Sequence, residues 1–233
     1  MTDRTSDTAA LAGLEDYLPY LYRRHPWHGI PIGEDAPRKL TAFIEIVPTD
    51  TVKYELDKRT GYLQVDRPQK FSNVYPCLYG LIPQTYCGDE IGAFCAEQTG
   101  REKIAGDGDP LDICVLSERD ISHGDILCQA IPIGGLRMID GNEADDKIIA
   151  VLEGDALYGN WLEIDESPAD LIERLKHYFL TYKQVPGSGQ AKVEITHVYG
   201  REEAYEVIRR SQVDYDRSYA HIKEAKSRLA QLR

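Results

Sequence analysis

No apolar run of about 18 residues or more occurs in this 233-residue chain, so no membrane-spanning helix is expected. Met1 to Gly13 lacks a basic segment followed by an apolar stretch, the pattern of a secretory signal. The five cysteines, Cys77, Cys87, Cys95, Cys114 and Cys128, are odd in number and include no Cys-x-x-Cys pair. That argues for a reducing, cytoplasmic setting and against a disulfide framework. Their spacing fits no common zinc pattern, and Cys114 and Cys128 lie inside apolar runs, where they read as small core residues. There is no internal repeat and no basic run. Acids outnumber bases by 39 to 27, and the net charge of −12 repels nucleic acid and anionic membranes at long range. A small anion still binds such a chain where local cations or bound metal reverse the sign.

What is present suits a soluble globular protein of one large domain or two small ones. Residues 1 to about 38 read as an N-terminal arm, aromatic and proline-broken between Tyr17 and Trp27, and 39–233 as a single domain. From Leu40 onward the pattern is of strands. They are Thr41–Val47 with the charged Glu45 inside it, Val52–Leu56, Tyr62–Val65, Leu111–Leu116, Asp125–Ile133, Gly135–Ile139, Lys147–Leu152 and Lys192–Val198. Asp57-Lys58-Arg59-Thr60-Gly61 reads as a hairpin loop. Two helices are expected, near 168–184 and 201–228. The first has Ser167 as cap, Pro168 at its first position, and Leu171, Leu175, Tyr178, Phe179 and Tyr182 on one face. Gly88–Gly106 shows no period and reads as a long loop. The fold class is α+β, with many short strands pointing to a closed barrel or a sandwich.

The chemistry concentrates in Asp107-Gly-Asp109-Pro-Leu-Asp112. Gly and Pro between the acids make this a turn, which is expected to aim three carboxylates at nearly one point. Like charges at 4 Å repel by about 1 kcal/mol per pair even in bulk water. A hard divalent cation removes that cost, and carboxylate oxygens are what Mg²⁺ or Ca²⁺ prefer. Lys53 and Glu55, two apart on a strand, share a face, with Tyr54 and Leu56 turned to the core. Asp140, Asp145, Asp146 and Lys147 form a second acidic cluster that reads by itself as a solvated loop. Tyr182-Lys183 closes a helix, and Arg67 follows a strand. Acidic loops for metals and a Lys/Arg/Tyr set for phosphate oxygens suit metal-assisted attack of water on phosphorus.

On these residues the chain resembles family I soluble inorganic pyrophosphatases, over roughly Leu40 to Arg210. The matching stretches are Val52-Lys-Tyr-Glu55, Val65-Asp-Arg67, Tyr75-Pro-Cys-Leu-Tyr-Gly80, Asp107 to Asp112, Asp140 with Asp145-Asp-Lys147, and Tyr182-Lys183. The resemblance implies a five-stranded OB-like closed β-barrel with flanking helices. It implies Mg²⁺-dependent hydrolysis of pyrophosphate to two phosphates, with Mn²⁺ or Zn²⁺ as substitutes. It assigns Asp107, Asp112 and Asp145 to the metal ions, helped by Asp140 and by Glu55 partly through water. Asp109 is the implied general base, and Tyr79 stands near the attacking water. Lys53, Arg67, Lys147, Tyr182 and Lys183 would hold phosphate oxygens, and Glu45 would lie at the edge of the site. A homo-oligomer of open size is implied too. The long N-terminus, with His25-Pro-Trp-His28, looks like the arm of the longer, eukaryote-like members. His25 and His28 read as packing or hydrogen-bonding residues before they read as metal ligands.

Three rivals remain. An EF-hand-like calcium loop would use Asp107, Asp109 and Glu118, but Asp112 replaces the glycine needed at its sixth position. An OB-fold nucleic-acid binder needs a basic groove that the composition does not provide. Hydrolysis of another polyphosphate, such as a nucleoside triphosphate, is the alternative within enzymes.

Overall fold

The first strand, β1 (Leu40–Ile46), is buried at every position, Glu45 included. It is followed by β2 (Val52–Leu56), β3 (Leu63–Pro68), β4 (Leu78–Leu81), α1 (Asp89–Thr99), β5 (Ala105–Gly106) and β6 (Asp112–Leu116). The long β7 (Ile126–Asp140), β8 (Glu143–Ala144), β9 (Lys147–Leu152), α2 (Ala169–Thr181), β10 (Val193–Gly200) and α3 (Arg201–Ser218) complete the order. This computed structural model describes residues 23–183 and 193–222. The expected helix ends at 184 and 223–228, the glycine-rich 186–189 stretch and residues 1–22 of the arm lie outside them.

Apolar residues fill both faces of the central strands, and this sets the architecture. In β6, Ile113 and Val115 join one buried cluster, Cys114 and Leu116 another; in β9, Ile148 and Ala150 part from Ile149 and Val151 in the same way. Alternate side chains point to opposite faces, so such runs need cover on both sides. Helices α1 and α3 cover the first cluster with Ile91, Phe94, Ala204, Val207 and Ile208. Helix α2 covers the second with Ile172, Leu175, Tyr178 and Phe179. The fold is mixed α+β, around a large sheet in which five strands pair in a ring: β1 with β4, β4 with β6, β6 with β9, β9 with β7, and β7 with β1. β2 and β3 form a separate two-stranded sheet.

Several expectations need correction. The two strands read at 125–133 and 135–139 are one, β7, with a register irregularity between Pro132 and Gly134 where two readings had been natural. Ser167 does not cap α2. Its hydroxyl donates to the Ile164 carbonyl at 2.5 Å, closing a short 3₁₀ turn, and Pro168 takes the cap position. Cys128 is only partly buried, at the edge of the first cluster, against which it packs. α3, by contrast, begins at Arg201 as expected, and the helix restarts at Ala220 after a turn at Tyr219. Strand β4, four residues long and ending a Pro-containing stretch, carries too little periodicity to be read.

The largest departure is α1, which occupies the middle of the expected 88–106 loop. Its own sequence offers no side-chain cap. The cap comes from α3: the buried Asp214 carboxylate accepts the backbone N–H groups of Gly88, Glu90 and Ile91 at 2.9, 3.0 and 3.1 Å. These are the orphan donors of a helix start, and an acid there also complements the helix dipole. Gly92 permits the helix to lie on β5, since a Cβ would stand 2.9 Å from the Gly106 nitrogen. Asp214→Ala leaves three N–H groups without this partner, that of Ile91 buried and those of Gly88 and Glu90 partly buried. It should lower stability by about 2 kcal/mol in urea unfolding, with faster amide exchange at Glu90 and Ile91.

Candidate active site

The Asp107–Asp112 turn is built as its sequence demands. Gly108 has φ +78°, a conformation costly for any residue with a Cβ, and the Asp107 carboxylate accepts the Asp109 N–H at 2.9 Å. The turn then runs into β6, which lies parallel to β9 with Asp112 opposite Lys147. Asp140 ends β7, and Asp145 precedes β9. Tyr79 comes from β4, Lys53 and Glu55 from β2, and Tyr182 and Lys183 from the end of α2. All of these, with Asp107, Asp109 and Glu45, line one cavity of about 210 Å³. Arg67 does not: it stands opposite Lys53 in the β2–β3 ladder, but its guanidinium turns to Asp66.

The three acids of the turn share the cavity without converging on a point, contrary to expectation. Among the described residues no three Asp, Glu, His or Cys side chains gather as a ready metal cage. Asp109, Asp112, Asp140 and Asp145 each face an ammonium instead, while Asp107 accepts only the Asp109 N–H of its own turn. Lys147, almost fully buried, bonds both Asp112 and Asp145; Lys58 bonds Asp109; Lys183 bonds Asp140 at 2.6 Å. Lys53 lies 3.5 Å from Glu55 and 3.0 Å from Asp66. The Tyr79 hydroxyl donates to Asp112 at 2.6 Å. Burial pushes the Lys147 ammonium down, but the Asp112 and Asp145 carboxylates outweigh it and hold the group well above its usual value.

Negative charge nonetheless exceeds what the lysines neutralise. Burial, then the Asp145 and Asp112 carboxylates, push Asp107 up to about 8. Glu45, buried on β1 and accepting the Leu56 N–H at 2.8 Å, is pushed up to about 8 by burial and then by Asp112. Burial raises Asp145 as well. Hard carboxylate oxygens gathered along one cavity are the donor set a divalent cation suits, so Asp107, Asp112 and Asp145 fit a metal role chemically.

The structure also separates the second acidic cluster. Asp145 faces the cavity, whereas Asp146 points into the core, 3.3 Å from the buried Arg137 and accepting the Tyr199 hydroxyl at 3.2 Å. Neither lies in a freely solvated loop: Asp145 is partly buried at the cavity wall and Asp146 is fully buried on the other side of the backbone. Tyr54 and Leu56, expected only in the core, line the cavity beside Lys53 and Glu55, since a bulge between Lys53 and Tyr54 turns the strand. Cavity residues that sequence reasoning did not assign include Trp27, Lys58, Tyr75, Glu143 and Phe179. Tyr75 stood within a matching stretch, and Lys58 within the hairpin loop; Trp27 and Phe179 carried no local signal.

An inorganic pyrophosphatase family profile matches residues 42–216. The chain belongs to the inorganic pyrophosphatase family. An inorganic pyrophosphatase of Chlamydia trachomatis serovar D is 57% identical over 195 residues, covering 82% of this chain and 93% of that protein. A soluble inorganic pyrophosphatase of Zea mays is 39% identical over 174 residues, 73% of this chain and 72% of that one. The crystal structure of the Thermus thermophilus inorganic pyrophosphatase superposes with a TM-score of 0.69 at 27% identity, covering 83% of this chain and 99% of that chain. The cavity thus sits in a pyrophosphatase fold, and every acid named for its metals in the sequence lines it.

The raised acids fix a pH dependence for the metal-free pyrophosphatase chain. Folded Asp107 and Glu45 keep protons up to about 8, whereas their ordinary values are 3.8 and 4.5. Between these limits the native state binds more protons than the unfolded chain, so stability falls as pH rises from about 4 through 8. Urea midpoints in EDTA should therefore decline from pH 6 to pH 8. Glu45→Gln should flatten the decline.

Proposed function

We infer that this chain hydrolyses inorganic pyrophosphate to two orthophosphates. The observation that carries the reading is a single cavity, in a chain of this family, where carboxylates suited to a metal and lysines suited to phosphate oxygens meet. On this reading Asp107, Asp112 and Asp145 hold Mg²⁺, with Asp140 and Glu55 assisting; Mn²⁺ or Zn²⁺ are substitutes. The metal, when bound, supplies an activated water and neutralises phosphate oxygens.

The remaining work belongs to the protein's own groups. Asp109, which its turn leaves partly exposed at the cavity, accepts the proton of the attacking water. The water oxygen bonds one phosphorus while the bridging P–O bond breaks, and its electron pair leaves with the second phosphate. Lys53, Lys147, Tyr182 and Lys183 hold terminal oxygens and stabilise that leaving charge; Arg67 joins them by turning from Asp66. Tyr79 orients Asp112 and stands beside the water. The ring of β1, β4, β6, β9 and β7 is on this reading an OB-like closed barrel, carried by a catalytic domain at 39–233 with an arm at 1–38. The enzyme works as a cytoplasmic homo-oligomer and keeps pyrophosphate-releasing biosynthesis moving forward. No helix among the described residues is long and apolar enough to cross a membrane.

Phosphate release should be fast with pyrophosphate and Mg²⁺, abolished by EDTA, and far slower with tripolyphosphate or ATP. Turnover of ATP at an equal rate would replace this substrate with a broader one. Absence of release from folded protein with Mg²⁺, Mn²⁺ or Zn²⁺ would refute the enzyme reading. Asp109→Asn should keep Mg²⁺ affinity, measured by calorimetry, while turnover drops by about 10²-fold or more.

A further inference from the structure

One cavity lysine has no part in the scheme above. Lys58 lies in the loop between β2 and β3, lines the cavity, and pairs with Asp109. About half exposed, it stands at the mouth rather than on the floor. Its hairpin is outside the main sheet, and a two-stranded hairpin alone is marginally stable in water. The position of the loop must therefore come from neighbours.

Two neighbours supply it. Leu56 and Leu63 pack with Trp27, Phe43, Leu81 and Tyr215 in a small core of their own. At the loop itself, His25 Nε2 lies 3.1 Å from the Lys58 carbonyl oxygen. The imidazole also rests on Gly61, where a Cβ would stand 2.9 Å from its Cδ2. The ring's tautomer is fixed by the chain before β1. Nδ1 accepts the backbone N–H groups of Trp27 and His28 at 3.2 and 3.3 Å, so it carries no hydrogen. Nε2 carries the hydrogen and donates to the Lys58 carbonyl. Burial lowers the His25 pKa, against the Lys58 carbonyl and Asp57, which act to raise it.

We propose that His25 is a positioning residue: one hydrogen bond ties the segment before β1 to the 57–62 loop and holds Lys58 over Asp109, as a further cation for the phosphate oxygens of pyrophosphate. Only the last clause rests on the pyrophosphatase reading. The tether stands on geometry alone.

The two nitrogens have separable mimics. His25→Asn keeps an acceptor near Nδ1 and loses the donor to Lys58; His25→Gln keeps a donor near Nε2. In full-length protein, His25→Asn should speed exchange of the Thr60 and Gly61 amides, both bonded to Asp57, by about tenfold. It should raise KM for pyrophosphate about fivefold with kcat within twofold. His25→Gln should restore both. Lys58→Ala should raise KM similarly, and the double variant His25→Asn/Lys58→Ala should add nothing further. Should His25→Asn fail to fold, His25→Phe keeps the ring on Gly61, removes the donor and carries the same test. Unchanged exchange in the Asn and Phe variants would overturn the tether. Additive KM effects would overturn action through Lys58. A wild-type chain that releases no phosphate would remove Lys58's substrate role, while the exchange result would still decide the tether.

Discussion

Lys147 between Asp112 and Asp145 is the interaction on which the site depends. At an effective dielectric of about 20, two carboxylates about 4 Å apart repel by roughly 4 kcal/mol, a large share of a domain's whole stability. The ammonium, buried and bonded to both, converts that repulsion into attraction. The parallel register of β6 with β9 makes this possible, because it sets Asp112 directly across from Lys147. A one-residue slip would send both side chains to the other face, where Ile113 and Ile148 now pack. Register, apolar core and charge balance are thus one constraint.

The same logic extends outward along the cavity. Acids on the turn and on the ends of β7 and β9 meet lysines from the hairpin, from β9 and from the end of α2. A site for a phosphate anion needs surplus positive charge, and a site for a cation needs surplus negative charge. Interleaving the two lets an overall acidic chain receive a polyanion, provided cation and anion arrive as partners. Glu45 and Asp107, still holding protons near neutrality, mark where the carboxylates remain in excess.

Much of this was legible because short-range pattern and tertiary role agree. Val52–Leu56 and Lys147–Leu152 were read to the residue, since apolar runs buried on two faces and a charged face on a hairpin leave local traces. The Asp107–Asp112 turn announced itself through Gly108, whose backbone conformation excludes most other residues. What stayed hidden depends on distant partners. Nothing near Asp89 shows a helix start, because the cap is Asp214. Nothing in Asp145-Asp146 says which acid faces the cavity until Arg137 is seen to hold the second. Arg67 matched a motif, yet its guanidinium turns to Asp66, and side-chain direction has no signature in spacing. Trp27 reaches the site through distant partners too: its indole N–H donates to the Thr85 carbonyl at 2.7 Å, and its ring packs on Phe43, Leu81 and Tyr215.

The cap on α1 also has a consequence in time. Its acceptor arrives more than a hundred residues after the donors it serves, so a chain growing from its N-terminus makes the 88–106 region long before it makes Asp214. At roughly 5–20 residues per second, that interval is several seconds or more. Until then the segment lacks both its terminal partner and the α3 surface that buries Ile91 and Phe94. Completion of this helix therefore waits for α3, which acts as a clasp on a segment made long before it.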